Sequence, residues 1–114
     1  MSVKLTTRQV GDVTVIDAVG RITLGEGSST FRDSLKDFTA AGNKKLLLNL
    51  AGVNYIDSSG IGEMVSGFTT VTNQGGQLKL LNLTKRVQDL LQITKLYTVF
   101  EVFDDEAAAV RSFS

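Results

Sequence analysis

The chain reads as a single α/β domain built on a mixed, mostly parallel sheet, and three observations predict it. A nearly continuous apolar run, Leu46-Leu47-Leu48-Asn49-Leu50, has the composition of a central strand covered on both faces. Two segments rich in Val, Ile and Thr flank Gly11-Asp12, as in an antiparallel hairpin. Behind the apolar run, Ile61, Met64, Val65, Phe68 and Val71 recur at helical spacing, so strand gives way to helix within a few residues.

Each element follows from similar signals. Residues 3–10 and 13–19 are the hairpin strands, with Gly20 ending the second and a glycine-rich loop through Gly25-Glu26-Gly27. A first helix is expected from residues 28–30, with Phe31, Leu35 and Phe38 inward, stopped by Ala41-Gly42-Asn43. Residues 45–50 form the central strand, and a second helix runs over 60–73 to Asn73-Gln74-Gly75-Gly76. A strand at 77–82 precedes a short helix capped by Thr84 or Asn82, with Val87, Leu90 and Leu91 inward. Residues 99–103 are the last strand, and Asp104-Asp105-Glu106 opens a terminal helix carrying Val110 and Phe113. The order β-β-α-β-α-β-α-β-α implies right-handed crossovers, with only the first strand antiparallel. Sites in such sheets lie beyond the carboxyl ends of the parallel strands, where the loops at 21–27 and 57–62 become neighbours.

Composition narrows the function classes. The 114 residues carry 12 basic and 12 acidic side chains, so the formal net charge is zero. Lys44-Lys45 and Lys85-Arg86 are isolated pairs, which argues against direct nucleic-acid binding. Cysteine is absent, which excludes disulfides and thiolate metal sites, and histidine is absent too. Without histidine the usual general base, zinc ligand and phosphohistidine are all missing. No apolar run reaches the roughly 20 residues of a membrane span, and residues 1–5 lack a signal-peptide core. The expectation is a cytoplasmic, non-enzymatic domain without cofactor, metal or membrane insertion.

The candidate site is Asp57-Ser58-Ser59-Gly60-Ile61-Gly62. It lies at a strand-to-helix turn, where free backbone N–H groups and the positive end of the helix dipole suit a negative charge. Helix capping alone accounts for one such residue. Two hydroxyls beside two glycines exceed that need, since each glycine costs a helix about 1 kcal/mol relative to alanine. Glycine there suits the close approach of a macromolecule or a phosphoryl group. A hydrolase elbow fails because Ser59 is not in Gly-x-Ser-x-Gly and has no histidine. A dinucleotide loop fails because Val65 stands where its third glycine belongs. Asp104-Asp105-Glu106 reads as dipole-complementing charge at a helix start, not as a metal cluster.

These residues and this order of elements resemble the STAS domain of bacterial anti-sigma factor antagonists. The resemblance covers residues 1–114, most specifically Leu48-Asn49-Leu50-Ala51-Gly52-Val53-Asn54-Tyr55-Ile56 running into Asp57-Ser58-Ser59-Gly60-Ile61-Gly62. Gly75-Gly76-Gln77-Leu78-Lys79-Leu80 and the segment 99–103 support it. It implies partner switching: the unphosphorylated domain binds an anti-sigma factor that is also a serine kinase, and so frees a sigma factor. Phosphorylation of Ser59 releases the partner, and a phosphoserine phosphatase resets the domain. The implied partner surface is Asp57, Ser58, Gly60, Ile61, Gly62 and Glu63, with Arg21, Thr23 and Glu26 from the facing loop. In one respect the chain departs from the family: Thr23 stands where members with kinase partners often carry aspartate, and Glu26 is the nearest replacement. The alternative is a STAS subunit of another assembly, such as a lipid-transporter ATPase or a stress-signalling complex, without phosphorylation.

Overall fold

The computed structural model describes residues 3–22 and 26–113; the side chains of residues 26–30 and 32 lie outside that description. Five strands form one sheet in the spatial order β1-β2-β3-β4-β5. The strands are β1 (Val3–Val10), β2 (Val13–Ile22), β3 (Lys45–Ile56), β4 (Gln77–Leu81) and β5 (Val102–Phe103). The helices are α1 (Glu26–Ala40), α2 (Ser58–Asn73), α3 (Lys85–Ile93) and α4 (Glu106–Arg111), with a 3-10 turn at Leu96–Thr98. β1 and β2 pair antiparallel and all other neighbours pair parallel, as the hairpin and crossover pattern requires.

The leucine run of β3 explains the layering. Leu46, Leu48 and Leu50 face a core shared with Phe31 and Leu35 of α1, Met64 and Val71 of α2, and Val87 and Leu91 of α3. Leu47 faces the other way, joining Val13, Val15 and Leu81 under Ala109 of α4 and Phe113. A period of two in a strand buried on both sides therefore serves two cores at once. Leu46, Leu47, Leu48 and Leu50 are all fully buried, so truncating any one to alanine costs about 2–5 kcal/mol.

Several boundaries differ from the sequence reading. Gly20 has a positive φ of 116° but does not end β2, which continues to Ile22. β3 runs six residues past Leu50, because its partners in β2 slip from Asp17↔Asn49 to Val19↔Gly52 and then to Arg21↔Tyr55. Each slip is a bulge on β3, which absorbs an extra residue while the strands keep pairing. The first helix starts at Glu26, and the second starts at Ser58 instead of residue 60. The last strand shrinks to two residues, because Leu96–Thr98 turns tightly and Phe100 inserts into the core. Its ring meets Phe68 edge-on with centroids 5.2 Å apart.

Candidate functional site at the amino end of α2

β3 delivers the chain to α2 through one residue, Asp57, whose extended backbone (φ −112°, ψ −178°) fits the N-cap position. Its carboxylate accepts the Gly60 N–H at 2.8 Å, and its carbonyl accepts the Ile61 N–H at 3.0 Å. The amides of Ser58 and Ser59 have no partner among the described residues, so both remain at the positive end of the helix. Ser58 is exposed and Ser59 partly so; neither residue is buried in the core.

Gly60 has a structural reason that the sequence does not reveal. A Cβ there would lie 2.0 Å from the Ile22 carbonyl oxygen, so the end of β2 occupies the space a side chain would need. The same carbonyl accepts the Asp57 N–H at 3.4 Å, which pins the start of α2 against the end of β2. The close approach at Gly60 is therefore made by the domain's own backbone, which corrects the reading of that glycine as room for a partner. Gly62 is different: a Cβ there would meet nothing within 4 Å, and the residue faces solvent.

The structure gathers part of the expected surface. Asp57, Ser58, Ser59 and Gly62 lie together at the α2 terminus, with Arg21 on the adjoining strand end. Ile61 is only 3% exposed and packs in the main core, so its side chain is withdrawn from any partner; this too corrects the expectation. Glu63 is partly buried. Thr23 lies outside the described residues, and so does the side chain of Glu26, whose backbone begins α1.

Two neighbours went unnoticed in the sequence. Tyr55 precedes the motif by two residues, and the Arg21 guanidinium carbon stands 4.8 Å from its ring centroid. Arg86, on α3, stands 4.7 Å from the same centroid. Arg21 and Arg86 are 65 positions apart in the chain, so no local pattern could have joined them.

Three grooves among the described residues lie elsewhere. Grooves of about 260, 430 and 210 Å³ run along β4, β5 and α3, and residues 57–63 line none of them. Among the described residues no three acidic side chains converge as metal ligands, and no helix is long and apolar enough to cross a membrane. Among the described residues, the α2 terminus lines none of these grooves and presents Ser58 and Ser59 at a helix start, where a negative charge is favoured.

The family model for the STAS domain matches residues 4–109. The chain belongs to the STAS family. The anti-sigma-B factor antagonist of Bacillus subtilis (strain 168) is 42% identical over 57 residues, which is 50% of this chain and 52% of that protein. The anti-sigma F factor antagonist of Paenibacillus polymyxa is 25% identical over 65 residues, covering 57% of this chain and 56% of its own length. The chain thus spans about half to two thirds of the curated relatives it matches. Among solved structures, an anti-sigma factor antagonist from Mycobacterium paratuberculosis superposes with a TM-score of 0.81 at 13% identity, over 97% of this chain and 93% of that one. At that identity the superposition establishes the fold alone.

Proposed function

We propose that this STAS domain is an anti-sigma factor antagonist switched by phosphorylation of Ser59. The observation that carries the reading is a partly exposed serine at the start of α2, beside an aspartate cap and two amides that have no partner among the described residues. The names of the Bacillus subtilis and Paenibacillus polymyxa relatives support it. So does SpoIIAA, an anti-sigma factor antagonist solved in unphosphorylated and phosphorylated forms, whose folds match this chain with TM-scores of 0.68 and 0.72 at 18% identity.

The mechanism follows from electrostatics. Unphosphorylated, the α2 terminus docks on an anti-sigma factor that is also a serine kinase, and a sigma factor is set free. The partner supplies ATP, magnesium and the catalytic base; this chain supplies the hydroxyl as substrate. Transfer adds about 1.5 to 2 negative charges. The helix terminus accommodates them, because its dipole and the Ser58 and Ser59 amides, which have no partner among the described residues, favour an anion. The docked interface does not, since an unmatched anion at its centre must be desolvated. The partner leaves, and a phosphatase later restores the hydroxyl.

Intact-mass analysis with peptide mapping tests this after incubation with ATP and the native kinase. One phosphate on Ser59, absent in Ser59→Ala, is the expected result. Phosphate on Ser58, or none at all, would overturn the assignment. A Ser59→Asp variant should bind the anti-sigma factor at least about tenfold more weakly while its Tm stays unchanged.

A further inference from the structure

Among the described residues, the sheet face opposite α1, α2 and α3 is covered at one end only. α4 closes the end that holds Val13, Val15, Leu47 and Leu81. By the period of two, Asp17, Val19 and Arg21 continue the same face along β2. Asp17 is taken up by Arg8, but Val19 is 55% exposed and Arg21 is exposed beside Tyr55 of β3. Arg86 reaches that ring from α3.

Charge gives this corner its chemistry. Among the described residues, Arg21 and Arg86 both stand against the Tyr55 ring and neither is held in an ion pair with a carboxylate. Both stand close enough for cation–π attraction. Sharing one ring keeps the two guanidiniums within about 10 Å of each other, one Debye length at 0.1 M salt, so they repel. Carboxylates placed beside the two guanidiniums relieve that repulsion. Each guanidinium carries five N–H donors in a planar fork that matches a carboxylate, and contact with the ring fixes its position beforehand.

We propose that Arg21, Tyr55 and Arg86 form a docking clamp for a carboxylate-rich segment of the partner protein. The proposal rests on the reading of the α2 terminus as the partner's surface, and it names the chemistry of what lies beside it. The clamp adjoins that terminus directly, because Arg21 precedes Ile22, whose carbonyl abuts Gly60 and accepts the Asp57 N–H. It also gives the switch its sign: an acidic segment held by Arg21 and Arg86 is repelled by a phosphate on Ser59. An extended acidic segment fits this open face better than a nucleotide does, since none of the grooves is lined by Arg21, Tyr55 or Arg86.

The test is an NMR titration of the full ¹⁵N-labelled chain with an octaglutamate peptide, observing the arginine Nε–Hε signals. Shifts at Arg21 and Arg86 are expected, fading in about 0.3 M NaCl. The Arg21→Gln/Arg86→Gln variant should bind about tenfold more weakly, and Lys95→Gln should bind as the unmodified chain does. Amide spectra establish that each variant is folded, and Tyr55→Leu gives a second route to the same loss. Undiminished affinity in the double variant, or shifts confined to other residues, would overturn the clamp. So would shifts at both arginines with inorganic phosphate or ATP but none with octaglutamate, which would mark a small-phosphate site. The titration uses no kinase. A silent clamp with intact Ser59 phosphorylation therefore refutes the clamp alone, and the reverse refutes the switch alone.

Discussion

At the scale of single residues, the α2 terminus combines one structural and one chemical demand. Gly60 meets the first. Gly60→Ala places a Cβ against the Ile22 carbonyl, so the helix must shift, and a loss of about 3 kcal/mol is expected in urea unfolding. Gly62→Ala meets open space and removes a helix-weakening glycine, so it should stabilise by about 0.5–1 kcal/mol. Equal effects at the two positions would contradict the assigned roles. Asp57→Ala removes the acceptor of the Gly60 N–H and should cost about 1 kcal/mol. The motif was legible in the sequence as a cap, a pair of serines and two glycines. Which glycine faces its own backbone and which faces solvent was not, because that depends on where β2 ends.

Among the described elements, α4 is the shortest α-helix, at six residues, and polar contacts hold its two ends. Arg8 of β1 donates to Asp17 at 2.8 Å and to Glu106, at the first turn of α4, at 2.6 Å. Hydrogen bonding from Arg8 holds the Asp17 and Glu106 carboxyls below the ordinary carboxylate range. Both groups have lowered folded-state pKa values, so their stabilisation is present above the ordinary range, near pH 4, and is lost as pH falls through the folded-state values. Arg8→Gln should therefore lower Tm at pH 7 by a few degrees and flatten the acid limb of the stability curve. The effect is modest because the Arg8 side chain is 42% exposed and water screens the pair. An acid limb unchanged by the substitution would contradict this. At the other end, Lys79 is 8% exposed, donates to the Ser112 carbonyl and hydroxyl at 2.9 Å, and pairs with Glu101 at 2.8 Å. Lys79→Ala leaves the Ser112 carbonyl without that donor and should cost about 2–3 kcal/mol in thermal or urea unfolding.

The same elements show what a sequence can carry. The β3 run announced a two-sided strand, because burial on both faces leaves a composition that needs no knowledge of partners. The extension of β3 to Ile56 was hidden, since its bulges at residues 50–54 break the alternation that marks a strand. Residues 99–103 look like a strand, but Phe100 is apolar for a different reason, its insertion beside Phe68. Lys79 sits mid-strand with no local sign that its ammonium reaches the last turn of the chain. Long-range polar pairing leaves no periodic trace.

At the scale of the molecule, the proposed phosphorylation has to act without altering the fold. The main core lies between the sheet and α1, α2 and α3, and Ile61 and Met64 anchor the first turns of α2 in it. Ser59 stands outside that packing, so a phosphate there adds charge to the surface and leaves the core contacts as they are. The decisive measurement is calorimetric titration of the anti-sigma factor with the Ser59-phosphorylated and unmodified chains, alongside their amide spectra. The account predicts affinity at least about a hundredfold weaker for the phosphorylated chain, with spectral changes confined to the neighbourhood of residues 57–63. Equal affinities, or changes spread through the core strands, would contradict it.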